Sequence, residues 1–168
     1  MSSPQASRLA GKEFYVLLTE SRSSNGKTYG ESTADQIKVH GVPAEIIPDN
    51  AIKHHALKMN KVLVGADSIL ADGYPINSAS THRVTWAAKK NKIPVYTLCE
   101  VAKFDVRGYL ELEEGFDKIP PHLIAGIVTK KGMMKPNEVI GYIKGMERYV
   151  KAQIQSSRSD SATPPPGQ

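Results

Sequence analysis

Lys61-Val-Leu-Val-Gly-Ala-Asp-Ser-Ile-Leu-Ala-Asp-Gly-Tyr-Pro-Ile-Asn77 decides the fold of this chain. Val62 to Val64 is a short, apolar, β-branched run, the pattern of a strand buried inside a parallel sheet. It ends in the small residues Gly65 and Ala66, followed by the carboxylate of Asp67. In open α/β sheets, ligands sit beyond the carboxyl ends of the strands. Small residues there admit a ligand to the backbone, and an acid just past them can face it. Asn77 precedes a helix-like run, and helix N-termini favour anions. The spacing describes a small-molecule pocket.

Working outward, strand and helix signals alternate. Glu13 to Thr19, with Phe14 to Leu18 at its centre, reads as a buried strand, and Val42 to Ile47 as a second. Between them, Ser32 and Asp35 resemble a capping box for a helix that stops at Gly41. Asp49 can cap a short helix that presents Ile52, Ala56 and Met59 on one face. After the Val62–Val64 strand, Ser78 to Asn91 reads as helical, with Val84, Ala87 and Ala88 toward the sheet. Ile93 to Leu98 and Leu123 to Thr129 are further apolar strands. Pro136 suits a helix start, and Val139, Ile143, Met146 and Val150 form its stripe. Strands joined by helical crossovers predict an α/β, Rossmann-like, doubly wound and mainly parallel sheet with helices on both faces. No Gly-x-Gly-x-x-Gly turn follows the first strand, so a dinucleotide is not expected; no other cofactor is expected.

The 168 residues, 40% of them hydrophobic, suit one domain. A chain of this size buries roughly 70% of its unfolded surface on folding. Composition divides it into a flexible N-terminus at 1–11, the folded domain at 12–154 and a polar, proline-rich tail at 155–168, expected to be disordered. The net charge of +5 is modest, and Lys89-Lys90 and Lys130-Lys131 stand out as paired basic residues. No aromatic-interleaved basic stripe is evident along the sequence, so a nucleic-acid partner is not expected. The single Cys99 excludes an internal disulfide and a zinc–thiolate cluster. No apolar run nears the roughly 20 residues that span a bilayer. No membrane partner is expected, and the expected compartment is the cytoplasm.

Three motifs in order carry a resemblance: Gly65-Ala66-Asp67 through Asn77, Thr97-Leu-Cys-Glu-Val-Ala-Lys-Phe104, and Gly115-Phe-Asp-Lys-Ile-Pro-Pro-His-Leu-Ile-Ala-Gly-Ile-Val-Thr129. With Thr19-Glu20-Ser21-Arg22 after the first strand, they resemble the C-terminal domain of the translation initiation factor 2B alpha, beta and delta subunit family. That family includes ribose-1,5-bisphosphate isomerase and methylthioribose-1-phosphate isomerase. The resemblance covers about Phe14 to Val139 and implies a ligand site lined by Glu20, Arg22, Asp67, Asn77, Ser78 and Lys103. In an isomerase, Asp67 would be the catalytic acid, a role that requires it to hold a proton. Lys103 matches a phosphate-contacting lysine of the bisphosphate isomerases.

The departures point away from catalysis. The isomerases' Asn-Lys pair reads Asn77-Ser78 here, and losing a charge-assisted phosphate contact costs about 1.5–3 kcal/mol. Their catalytic cysteine lies in a loop upstream of the matching region, preceded by a helical domain, and Cys99 is not at its position. The expected function is a non-catalytic regulatory subunit that assembles with itself or with other initiation factor 2B-type subunits in guanine-nucleotide exchange. It would keep a pocket for a sugar phosphate or nucleotide. The alternative is a sugar-phosphate isomerase. Simpler roles stand beside each assignment: Asp67 and Asn77 as caps, Lys103 as a solvated cation, and Glu20 with Arg22 as a rim ion pair. Asp117 reads as ordering its own turn, Trp86 as a packing or interface residue, and Cys99 as a small buried hydrophobe. The neighbouring His54 and His55 point apart on a helix and do not suggest a metal site.

Overall fold

The computed structural model describes residues 11, 14–22, 26, 28–106, 112 and 114–160, with side chains through 155. Strand β1 (Val16–Thr19) pairs in parallel with β2 (Ala44–Ile47), aligning Thr19 with Ile47. The crossover between them is helix α1 (Gly30–Val39). Gly41 stops it, taking φ +68, a left-handed conformation that glycine adopts without strain. The helix starts at Gly30 after Tyr29, so Ser32 lies inside its first turn and the expected capping box does not form. Thr33 Oγ1 instead donates to the Tyr29 carbonyl at 3.0 Å.

The central sheet is β3 (Val62–Gly65), β6 (Val95–Leu98), β8 (Gly126–Thr129) and β9 (Gly132–Met134), in that order. The first three are parallel, and β9 adds an antiparallel edge. Helix α3 (Thr81–Lys90) precedes β6, and α4 (Pro136–Asp160) closes the chain. The short α2 (Ile52–His55) follows β2. Val62, Val95, Ile127, Ala88 of α3 and Val139 and Ile143 of α4 share the main core. Ile47, Ile52 and Ala87 form a second cluster, which ties β2 and α2 to α3. The fold is the mainly parallel α/β arrangement that the alternation predicts. Helices were expected on both faces, but α3 and α4 share one core with Val62, Val95 and Ile127 of the central sheet. Side chains alternate across a strand, and Leu63, one residue past core-facing Val62, is 62% exposed. The second face of the sheet is therefore open at β3. Helix α4 continues past residue 155, where the disordered tail was expected to begin, and residues 1–10 and 161–168 lie outside the described set.

A third sheet is absent from the sequence-based expectation. Strands β4 (Ser68–Ile69), β5 (Pro75–Ser78) and β7 (Phe116–Lys118) pair antiparallel in that order. Residues 75–78 are therefore strand, and the helix expected from Ser78 begins only at Thr81.

Candidate functional site

Parallel strands bring their carboxyl ends to one edge, and the strongest candidates gather where β3 and β6 end. Beyond Gly65, the Asp67 N–H donates to the Ile76 carbonyl at 2.8 Å, which leads the chain into the small antiparallel sheet. The Asp67 carboxylate is exposed. Past β6, a 3-10 turn at Val101–Lys103 swings Lys103 back over β3. Its Nζ donates to the Ala66 carbonyl at 2.8 Å. Asn77 sits on β5 with its Oδ1 over Gly65, 3.7 Å from where a β-carbon there would lie. An alanine at 65 would meet this amide at ordinary van der Waals distance. Asp67, Asn77 and Lys103 thus converge on the Gly65–Asp67 segment.

Asn77 does not cap the backbone of the following helix. Its Nδ2 donates to Thr81 Oγ1 at 3.0 Å, and that hydroxyl donates to the Ser78 carbonyl at 2.7 Å. The free N–H at the start of α3 is taken by a residue assigned elsewhere from sequence. Asp117 Oδ2 accepts from the His82 N–H at 2.9 Å, so Asp117 caps a distant helix rather than its own turn. A carboxylate complements the positive end of a helix, and here it occupies a place that an incoming phosphate would favour. Ser78 takes part through its backbone carbonyl, which accepts from Thr81 Oγ1.

Cys99 lies at the end of β6, 2% exposed, with Sγ donating to the Glu100 carbonyl at 3.3 Å. Burial pushes its thiol up to about 11; Lys103 pulls the other way, and the Glu100 and Asp67 carboxylates reinforce the rise. A thiol in this state is a poor nucleophile, because the thiolate is the reactive form. Two residues earlier on the same strand face, Thr97 Oγ1 is buried without a hydrogen-bond partner among the described residues, as is Ser68 Oγ. Sequence reading missed both. It also missed Glu100, which pairs with Lys130 at 3.4 Å beside Cys99.

Glu20 and Arg22 belong to a second group, at the end of β1. They pair with each other at 3.7 Å with both side chains substantially exposed, a contact worth little in water. The loop that carries them is held from β2. Asp49 Oδ1 accepts from the Ser21 N–H at 3.0 Å and Oδ2 from the Arg22 N–H at 3.2 Å. Asp49 is therefore not the helix cap that its spacing suggested; Ala51 holds that position in α2. Ser21 takes φ +48, a strained conformation for a non-glycine residue that these bonds help to hold. Parallel register explains the pairing, because Ser21 and Asp49 each lie two residues past the aligned Thr19 and Ile47.

Among the described residues, no three His, Cys, Asp or Glu side chains converge as a metal site would require, and no helix is long and apolar enough to cross a membrane.

Comparison with known proteins places this geometry among relatives of two kinds. The chain is 30% identical over 162 residues to ribose 1,5-bisphosphate isomerase of Pyrococcus furiosus, covering 80% of this chain and 49% of that protein. It is 29% identical over 152 residues to translation initiation factor eIF2B subunit alpha of Caenorhabditis elegans, covering 77% and 49%. The solved structure of translation initiation factor eIF-2B from Pyrococcus horikoshii OT3 matches with a TM-score of 0.69 and 29% identity, over 81% of this chain and 54% of that one. The chain spans about half the length of the curated relatives it matches. The model of the Initiation factor 2 subunit family matches residues 5–114, and the chain belongs to that family.

Proposed function

We propose that this chain is a non-catalytic, initiation factor 2B-like regulatory subunit that works in the cytoplasm by assembling with other family subunits or with itself. What carries the reading is the open face of the central sheet. Leu63 is 62% exposed on β3, Met133 is 67% exposed on β9, and half-buried Tyr96 on β6 stands in register with Leu63. The Met133 side chain lies against Gly126, where a β-carbon would come within 3.1 Å of its Cγ and Sδ. Contiguous exposed apolar surface of this kind marks association sites. Likeness to an eIF2B alpha subunit supports the same reading.

The candidate site favours ligand binding over chemistry. Proton transfer between sugar carbons calls for a water-excluded acid or base and an activated partner. Here Asp67 is exposed, Cys99 is buried with its thiol held protonated, and residue 78 is serine. Lys103 and Asn77 remain as polar groups that could hold a sugar phosphate loosely. The second reading, a sugar-phosphate isomerase, is favoured by the likeness to the Pyrococcus furiosus enzyme.

Sedimentation and catalysis together test the proposal. Purified protein should sediment as a species heavier than 18.3 kDa, alone or with initiation factor 2B-type subunits. Leu63→Lys should reduce that association. The same sample should convert neither ribose 1,5-bisphosphate nor methylthioribose 1-phosphate to a ketose above the uncatalysed rate. Turnover abolished by Asp67→Asn would establish the isomerase instead.

A further inference from the structure

The outer surface of α3 concentrates positive charge around one aromatic ring. His82, Arg83, Trp86, Lys89 and Lys90 are exposed on this helix, while Thr81, Thr85, Ala87 and Ala88 turn inward. Read in order, these residues form no basic-aromatic stripe. Helical spacing creates one, because positions three and four apart stack on the same face. Trp86 is 46% exposed, with Lys90 Nζ 5.5 Å from its ring centroid. Lys89 Nζ spends one donor on the His122 carbonyl at 3.2 Å, and an ammonium has two more. Helix α2, whose Ile52 shares a core cluster with Ala87, adds exposed Lys53 and His54 beside it.

The charge is unusually one-sided. Segment 81–92 contains Arg83, Lys89, Lys90 and Lys92 and no carboxylate. Segment 52–61 contains three lysines and again no carboxylate. The whole chain carries only +5, so everything outside these two segments is net acidic. The acid nearest in bonding terms, Asp117, is engaged by the His82 N–H at the other end of α3. At 1.5 Å per residue, that lies roughly 10 Å along the axis from Lys89.

We propose that this face binds single-stranded RNA, with a base stacked on Trp86 and phosphates held by Arg83, Lys89 and Lys90. A single strand needs a π-face and a track of cations. An acidic protein segment would need an apolar centre as well. On α3 Trp86 is the one exposed apolar side chain, and segment 52–61 adds the exposed Leu57, so an acidic-peptide control decides between the two. The site lies apart from the open face around Leu63, so it stands or falls independently of the assembly reading.

Trp86 is the single tryptophan of the chain, so its fluorescence reports contact directly. A 12-nucleotide RNA of mixed sequence, roughly the length that a single-strand site covers, should quench that emission on titration at 50 mM KCl. With about three phosphates engaged, affinity should fall about 20-fold between 50 and 200 mM salt. Arg83→Glu with Lys90→Glu should weaken binding at least tenfold while lowering the melting temperature by only a few degrees, since both side chains are exposed and the glutamate at 90 opposes the helix dipole. Trp86→Ala should cost roughly tenfold, and Trp86→Phe, followed by anisotropy of labelled RNA, should restore most of it. Lack of quenching at 50 mM salt, or binding indifferent to the double charge reversal, overturns the proposal. A polyglutamate peptide that quenches Trp86 as strongly as RNA also overturns it, and reassigns the face to an acidic protein.

Discussion

Lys103 Nζ donates a 2.8 Å hydrogen bond to the carbonyl oxygen of Ala66, the residue immediately before Asp67. One bond thereby ties the turn after β6 to the chain end of β3, across 37 residues of sequence. It also fixes a positive charge beside the carboxylate and the amide of the candidate site. An ammonium offers three donors, so binding an anion need not break this contact.

Ligand binding to the native state stabilises it by mass action. Millimolar ribose 1,5-bisphosphate should therefore raise the melting temperature, and Lys103→Ala should remove at least half of that rise. The substitution itself should cost no more than about 1 kcal/mol, because the side chain is exposed. A full ligand-induced shift in the variant would show that Lys103 only braces the backbone.

The Cys99 thiol gives a reactivity test. Raised from 9.0 to about 11 by burial, it should hold roughly 100-fold less thiolate at pH 8 than in the unfolded chain. A disulfide reagent should label native protein slowly and urea-unfolded protein at once. The same shift sets a sign for stability. Above pH 9 the unfolded state loses this proton while the folded state keeps it, so stability should decline as pH rises from 9 through 11. Cys99→Ala should flatten that part of the curve.

Asp117→Ala removes the carboxylate that accepts the His82 N–H. Loss of a helix cap costs about 0.5–2 kcal/mol, which denaturant titration should resolve. Hydrogen exchange at His82 should speed up more than exchange at Ala87. An unchanged midpoint would mean that water replaces the carboxylate at no cost.

Gly30 marks where α1 passes closest to β1. A β-carbon there would clash with the Thr19 carbonyl oxygen, a backbone atom that cannot step aside. Gly30→Ala should destabilise by about 1–3 kcal/mol, against a small gain expected from helix propensity alone. Gly141→Ala, with open space around it in α4, is the matched control and should stabilise slightly.

Sequence by itself determined the parallel strands, the positions of their carboxyl ends, the stop of α1 at Gly41 and the start of α4 at Pro136. Each is written in neighbouring residues, as hydrophobic period, as a glycine with φ +68 or as a proline in a first helical turn. It also brought Asp67 forward, because strand ends are where a parallel sheet gathers polar groups, and Lys103 through the family resemblance. Tertiary structure alone decided which polar atom meets which. Local spacing assigns Asp49 to the helix after it and Asp117 to its own turn, yet their oxygens bond Ser21, Arg22 and His82. The small β4, β5 and β7 sheet was equally hidden, since Ser68–Ile69, Pro75–Ser78 and Phe116–Lys118 mix polar and apolar residues and carry no continuous apolar run. The basic face of α3 emerged only when Arg83, Trp86 and Lys90 were wound onto one side of a helix. For the polar pairings and the small sheet the physical reason is shared. A backbone N–H or a charge must find a partner somewhere, and register between distant strands, not the residue next door, decides which partner is within reach.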